Sequence, residues 1–133
     1  MTSKDAVTAK EAEEILILIA DDEEPIVEML ATFVADLGYT PVVAQNGQEA
    51  LDLARQHEPA LIITDLMMPI MNGADLILVL RREAEAQGRA SSPIVLLTAG
   101  SRRAASKLPV EAVLLKPFDL SQLERVIRRL LEQ

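Results

Sequence analysis

Short apolar runs alternate with amphipathic segments along most of the chain. Five such runs predict five β-strands, at residues 15–20, 41–44, 60–64, 93–98 and 112–115. The first, third and fourth runs are continuous rather than alternating, which is typical of parallel strands covered on both faces. The pattern therefore predicts a parallel sheet between two layers of helices.

The segments between the runs carry the signals of helices. Residues 25–37 place apolar side chains on one stripe with a period of 3.6, opened by Pro25 and ended by Gly38. Asn46 and Asn72 are suited to cap helices that run to about residues 56 and 87. The predicted buried faces are Ile26, Met29, Leu30, Phe33, Val34 and Leu37 on the first helix and Leu120, Leu123, Val126, Ile127, Leu130 and Leu131 on the last.

The segment between the fourth and fifth runs gives the weakest helical signal. It offers about two turns between Gly100 and Pro109, and Leu108 is its one large apolar side chain. We therefore expect a shortened fourth helix. Strands and helices alternating in this way predict a three-layer, doubly wound α/β domain with a five-stranded parallel sheet.

Composition and charge narrow the classes of function. The 133 residues carry a net charge of −8 and no cysteine, and only three of them are aromatic. Excess acid disfavours contact with nucleic acid, the few aromatic rings disfavour base stacking, and thiol chemistry is excluded. No apolar run is long enough to span a bilayer, and residues 1–14 lack a signal-peptide core. We expect a cytoplasmic protein without membrane contact, in which a flexible tail over 1–13 precedes one domain over 14–133.

Polar side chains follow four of the predicted strands, at the edge where open parallel sheets bind ligands. Asp21 and Asp22 follow the first run and Asp65 the third, while Thr98 ends the fourth and Lys116 follows the fifth. Taken singly, each residue fits an ordinary role as a helix cap, a turn residue or a solvated charge. Taken together, the three carboxylates would repel one another, so a bound cation or raised pKa values must relieve this repulsion.

The residue types in this cluster indicate phosphoryl chemistry. An all-oxygen set without nearby His or Cys favours Mg²⁺ over zinc or copper. A lysine and a hydroxyl are the donors that hold the oxygens of a phosphoryl group. A carboxylate beside them is suited to accept that group and form an acyl phosphate.

Four blocks in order resemble the receiver domain of bacterial two-component response regulators. Residues 17–23 read Ile-Leu-Ile-Ala-Asp-Asp-Glu, and residues 64–73 read Thr-Asp-Leu-Met-Met-Pro-Ile-Met-Asn-Gly. Leu-Leu-Thr-Ala at 96–99 and Leu-Lys-Pro-Phe at 115–118 complete the set, and the similarity covers 14–133. The resemblance implies a stand-alone receiver with the flavodoxin-like strand order 2-1-3-4-5.

The resemblance also implies a metal site. Asp22 would bind Mg²⁺ directly, and Asp21 would act through metal-bound water. Asp65 and the main-chain carbonyl of Met67 would complete the protein's share of the ligands.

The same resemblance implies that Asp65 is the phosphoacceptor. Its donor would be a histidine kinase, a histidine phosphotransfer protein or a small acyl phosphate, and the chain would be no enzyme toward a separate substrate. Thr98 and Lys116 would hold the phosphoryl group, and the Lys116–Pro117 peptide bond would be cis. The signal would then pass to an output protein that the sequence does not identify. A second copy of this chain, in a homodimer, is left open as a further partner.

Two features depart from the family pattern. Thr98 and Lys116 are 18 positions apart, about four residues fewer than is usual, which amounts to roughly one helical turn. Val113 stands where the family usually has an aromatic switch residue. We therefore expect any change at the output surface to pass through the backbone near 99–109.

Two classes of function fit these observations. The first is a phosphorylation-controlled switch or phosphorelay intermediate. The alternative is a constitutive interaction module on a receiver fold, which the weak fourth helix and Val113 favour and the complete acidic cluster opposes. A phosphatase with an aspartate nucleophile is disfavoured because the Asp-x-Asp pattern is missing after the first strand.

Overall fold

Five parallel strands form the centre of the protein. The structure is a computed structural model that describes residues 14–132. The strands are β1 (Leu16–Ala20), β2 (Thr40–Ala44), β3 (Leu61–Asp65), β4 (Ile94–Thr98) and β5 (Ala112–Leu115). Their order in the sheet is β2-β1-β3-β4-β5, and every neighbouring pair is parallel. The predicted fold class and strand order are confirmed.

Five helices cover the two faces of the sheet. They are α1 (Glu24–Asp36), α2 (Gly47–His57), α3 (Gly73–Ala86), α4 (Arg102–Ala105) and α5 (Leu120–Leu131). Side chains of α1 and α5 pack on one face, and those of α2, α3 and α4 pack on the other. Asn46 and Asn72 cap α2 and α3 as predicted, because each side chain accepts a hydrogen bond of 2.8 Å from the amide three residues on.

The continuous apolar runs are buried on both faces, as their composition predicts. Within β1, Leu18 belongs to the cluster under α2 and α3, whereas Ile17 and Ile19 belong to the cluster under α1 and α5. All residues of β3 and β4 are buried. The central strands are therefore held from both sides, and their carboxyl ends form a fixed edge.

The predicted buried faces of α1 and α5 are only partly correct. Met29 is 42% exposed and Leu120 is 36% exposed. On α1 the buried residues are Val27, Leu30 and Val34, so the buried stripe is rotated toward Val27 and leaves Met29 at its edge. The sequence period locates an apolar stripe, but the packing against the sheet decides which residues lie at its margins.

The fourth helix is shorter still than the sequence suggests. It has four residues, a single turn, in place of the expected two. The Ser101 hydroxyl caps it by accepting hydrogen bonds from the amides of Arg103 (3.1 Å) and Ala104 (3.4 Å). Ala105 is its one buried side chain, so this element contributes little to the core.

No helix within residues 14–132 is both long and apolar enough to cross a membrane. The expected flexible tail over residues 1–13 lies outside the described residues.

Candidate functional site

The predicted polar residues converge at the carboxyl end of the sheet. The Lys116 ammonium lies 3.1 Å from Oδ2 of Asp21 and 3.3 Å from Oδ1 of Asp65. A cleft of about 450 Å³ is lined by Asp65 and Lys116 together with Asp22 and Thr98. We call these five residues, Asp21, Asp22, Asp65, Thr98 and Lys116, the acceptor edge.

The two adjacent aspartates after β1 have different environments. Asp21 is fully buried, and both of its oxygens are engaged. Oδ1 accepts a hydrogen bond of 3.0 Å from the Glu23 amide, and Oδ2 accepts one from Lys116. Asp22 is exposed and faces the cleft. Of the two, Asp22 is therefore the more accessible from the cleft, whereas Asp21 is held by contacts within the protein.

Asp65 and Lys116 form an ion pair at the cleft, the first buried and the second partly buried, and both have shifted pKa values. Burial raises the pKa of the Asp65 carboxyl, the negative charge of Asp21 raises it further, and Lys116 opposes both. Burial alone would lower the pKa of Lys116, but the hydrogen bond to Asp21 and the charge of Asp65 outweigh it, so this pKa is raised. Lys116 is therefore a permanent positive charge among carboxylates that repel one another.

Thr98 ends β4 with its side chain buried beside the cleft. Its Oγ1 accepts a hydrogen bond of 3.0 Å from the Gly100 amide, which leaves the hydroxyl proton available for donation. The Thr98 carbonyl accepts a hydrogen bond of 2.9 Å from the Lys116 amide, so the two residues are tied through their main chains. The Lys116–Pro117 peptide bond is cis, as the resemblance implied.

Two glycines hold the loop that follows Asp65. A Cβ on Gly73 would lie 2.3 Å from the carbonyl oxygen of Asp65, and one on Gly47 would lie 2.1 Å from that of Met71. The amide of Gly73 donates to the Leu66 carbonyl at 2.8 Å, and the amide of Gly47 donates to Met71 at 2.9 Å. The amino ends of α2 and α3 therefore fix the course of the main chain directly after Asp65.

Sequence reasoning missed two contributors to this site. The carboxylate of Glu23 lies 3.8 Å from the Lys116 ammonium, although its side chain is 62% exposed. The acidic run after β1 was the signal that could have identified it. Gly47 carries no such signal, because the carbonyl it approaches is 24 positions away in the sequence.

A family model identifies the family to which the acceptor edge belongs. The model of the response regulator receiver domain matches residues 17–128. The chain belongs to this family.

Curated relatives and solved structures agree with this membership. The response regulator Rre1 of Synechocystis is 40% identical over 125 residues, which are 90% of this chain and 53% of that protein. The chain thus spans about half the length of the curated relatives it matches. Receiver domains are signalling phosphoacceptors, and the match to this fold spans residues 17–128 of this chain.

Two solved receiver structures are similar to this chain in fold, and each also contains a bound group or a partner protein. The response regulator TrrA of Thermotoga maritima, in complex with Mg(2+)-BeF, has 30% identity and a TM-score of 0.78, covering 88% of this chain and 99% of that one. The receiver domain of Ssk1 from Saccharomyces cerevisiae, co-crystallised with the histidine phosphotransfer protein Ypd1, has 27% identity and a TM-score of 0.80, covering 86% and 87%.

The donor set of this receiver fits a hard divalent cation. Asp21, Asp22 and Asp65 each offer a carboxylate oxygen, and the three oxygens lie within 4.8 Å of one another. Met67 lines the same cleft. Oxygen ligands of this kind, in part exposed to water, suit Mg²⁺ or Ca²⁺ rather than a softer metal.

The segment from 99 to 111, which we call the β4–β5 connection, is the part that the resemblance predicts to be shortened. It holds α4 as its only helix. Val113, where the resemblance implies an aromatic switch residue, pairs in register with Leu96 of β4 and is partly buried against the core cluster beneath α2 and α3. A side chain of this kind has no ring to move between exposed and buried positions.

Proposed function

We propose that this receiver domain accepts a phosphoryl group on Asp65 in a Mg²⁺-dependent reaction. It thereby acts as a switch or a phosphorelay intermediate in two-component signalling. One observation carries the proposal. The Asp65 carboxylate lies at the cleft with the Lys116 ammonium 3.3 Å from its Oδ1, so a nucleophile and a cation for phosphoryl oxygens meet at one place.

The proposed step is an in-line displacement on phosphorus. A carboxylate oxygen of Asp65 donates an electron pair and forms the O–P bond while the N–P bond of a phosphohistidine breaks. The departing imidazole nitrogen keeps the electron pair of the broken bond. Lys116 and the Thr98 hydroxyl hold oxygens of the phosphoryl group, so catalysis consists of positioning and charge neutralisation.

Mg²⁺ would be held by Asp22 and Asp65 directly and by Asp21 through water, with the main-chain carbonyl of Met67 as a further ligand. When bound, it would neutralise the carboxylates and the phosphoryl oxygens. The burial of Asp21 and its engagement by Lys116 support the indirect role, and the exposure of Asp22 supports the direct one.

We infer a histidine kinase or a histidine phosphotransfer protein as the donor. The co-crystal of Ypd1 with the Ssk1 receiver supports this class of partner. A small acyl phosphate would serve the same site. The output partner, a homodimer and the cytoplasmic location stay predictions from the sequence.

Intact-mass measurement after incubation with acetyl phosphate tests the proposal. We expect one phosphoryl addition in the presence of Mg²⁺, none with a chelator, and none in Asp65→Asn. The control is Asp36→Asn, which removes an exposed carboxylate at the end of α1 and should be phosphorylated normally.

Two results would contradict the proposal. One is phosphorylation of Asp65→Asn to the same extent as the unsubstituted chain. The other is no addition to a folded chain that binds Mg²⁺, which would favour the constitutive interaction module. No observation at the site favours that alternative at present.

A further inference from the structure

Arg81 of α3 makes four side-chain hydrogen bonds at the end of the sheet opposite the acceptor edge. Its Nε donates to the carbonyl of Pro109 at 2.9 Å. Its Nη1 donates to the Ser91 hydroxyl at 2.7 Å and to the Ser92 carbonyl at 3.0 Å. Its Nη2 donates to Oε1 of Glu111 at 2.6 Å. One side chain therefore ties α3 to the segment before β4 and to the segment before β5.

Glu111 continues this connection into the sheet. Its Oε1 also accepts a hydrogen bond of 2.7 Å from the amide of Ile94, the first residue of β4. The Glu111 amide in turn donates to the Ile94 carbonyl at 3.0 Å. We call Arg81 and Glu111, with these bonds, the clamp. It fixes the start of β5 against the start of β4.

The strand that the clamp holds is the one that carries Lys116. β5 has four residues and lies at the edge of the sheet, so it pairs with β4 alone. Its other end is fixed by the bond from the Lys116 amide to the Thr98 carbonyl. The β4–β5 connection offers little further support, because α4 is a single turn with one buried side chain.

We propose that Arg81 and Glu111 are positioning residues for Lys116. The clamp takes over the support that a longer fourth helix would give to β5, and it thereby sets the place of the Lys116 ammonium between Asp21 and Asp65. That this place matters for phosphorylation rests on the proposed function. A lysine at position 81 would keep the charge but lose the planar fork that reaches several acceptors at once.

Amide hydrogen exchange tests the positioning without any phosphorylation. In Arg81→Lys we expect the Lys116 amide to exchange about tenfold faster, because β5 opens locally at lower free energy. Amides of β1 serve as the internal reference, since a loss of global stability would speed the exchange of the β1 amides and of the Lys116 amide alike. The matched control is Arg128→Lys, because Arg128 is an exposed arginine that bonds only Glu124 and Glu132 among the described residues.

A double-mutant cycle tests whether Arg81 affects the rate of phosphorylation through Lys116. With acetyl phosphate and Mg²⁺, Arg81→Lys should slow phosphorylation about tenfold, within the roughly hundredfold that a 1 Å misplacement can cost. The same substitution should have no further effect in the Lys116→Met background, where the positioned group is gone. A purely structural role would slow both backgrounds alike.

The outcomes separate this inference from the proposed function. Unchanged exchange at Lys116 in Arg81→Lys would overturn the clamp, as would equal slowing in both backgrounds. No phosphorylation of the unsubstituted chain would overturn the proposed function, and amide exchange would still decide whether the clamp positions Lys116.

Discussion

The acceptor edge and the β4–β5 connection lie next to each other but are built very differently. At the edge, Lys116 lies within hydrogen-bonding distance of Asp21 and Asp65, Thr98 lines the same cleft, and Asp21 is fully buried. In the connection, one helical turn contributes a single buried side chain. The nearby residue 113 is a valine and not an aromatic residue. The structure thus brings the predicted acceptor residues together on buried strands, whereas the helix that follows β4 is a single turn.

The difference shows what each region requires. Phosphoryl acceptance depends on fixed distances between charges, and the burial of β3 and β4 supplies that rigidity. Relaying a signal depends on a segment with two arrangements, which a lightly packed connection can provide at small cost. Substitutions in the two regions should therefore differ in kind as well as in size.

Lys116→Met should have the largest effect on the chemistry. It removes the cation beside Asp65, and loss of one such group commonly lowers the rate by about 10²–10³-fold. Phosphorylation by acetyl phosphate, followed by mass over time, measures it. Lys107→Met is the control, because it removes an exposed lysine of the β4–β5 connection and should leave the rate unchanged.

Two glycine substitutions compare the regions by stability. Gly73→Ala forces a Cβ against the Asp65 carbonyl and should destabilise the fold by about 2–3 kcal/mol. Gly100→Ala meets only the Thr98 hydroxyl oxygen, at 3.4 Å, and should change the stability little. Urea unfolding measures both, and equal losses would mean that the connection is as tightly packed as the loop after Asp65.

Much of this comparison could be predicted from the sequence, and the reasons are local. Continuous apolar runs located β1, β3 and β4, and caps such as Asn46 located the starts of helices. The position of each strand end then predicted which polar residues would meet, and the structure brings all five together. Their individual roles stay predictions, because no bound group tests them.

What the sequence could not predict depends on contacts between distant segments. The exposure of Met29 and Leu120 follows from how α1 and α5 lie on the sheet. The clash that excludes a side chain at Gly47 involves the Met71 carbonyl, and the Arg81–Glu111 pair joins residues 30 positions apart. Local periodicity contains no information about such pairs.

Asp65→Asn should stabilise the metal-free fold at neutral pH by about 1 kcal/mol, because it removes a buried negative charge beside Asp21. The raised pKa of Asp65 gives the sign of the pH dependence. The stability that this carboxyl contributes is present below its unfolded pKa and is lost as the pH rises through the folded one. The advantage of Asp65→Asn should therefore vanish in acid.

Thermal unfolding from pH 3 to pH 8 in chelator checks this expectation. Added Mg²⁺ should reduce the difference, because the metal binds the unsubstituted site more tightly and stabilises it by mass action. A greater advantage in acid than at neutral pH would show that the charge of Asp65 does not oppose folding.

Ser101→Ala should have the smallest effect. It removes the cap of α4, which is worth about 0.5–2 kcal/mol in an ordinary helix. Because α4 is one turn with one buried side chain, we expect a loss at the lower end of this range and a phosphorylation rate within about twofold of the unsubstituted chain. A large loss of rate in the same assay would show that the connection takes part in the chemistry.

The most direct test of the central claim is to locate the phosphoryl group chemically. Borohydride reduces an aspartyl phosphate to homoserine, and peptide mass analysis then identifies the altered residue. After treatment with acetyl phosphate and Mg²⁺, we predict homoserine at position 65 and at no other acidic residue. Homoserine at Asp21 or Asp22 in place of Asp65, or no conversion in a chain that gained the mass of a phosphoryl group, would contradict the account.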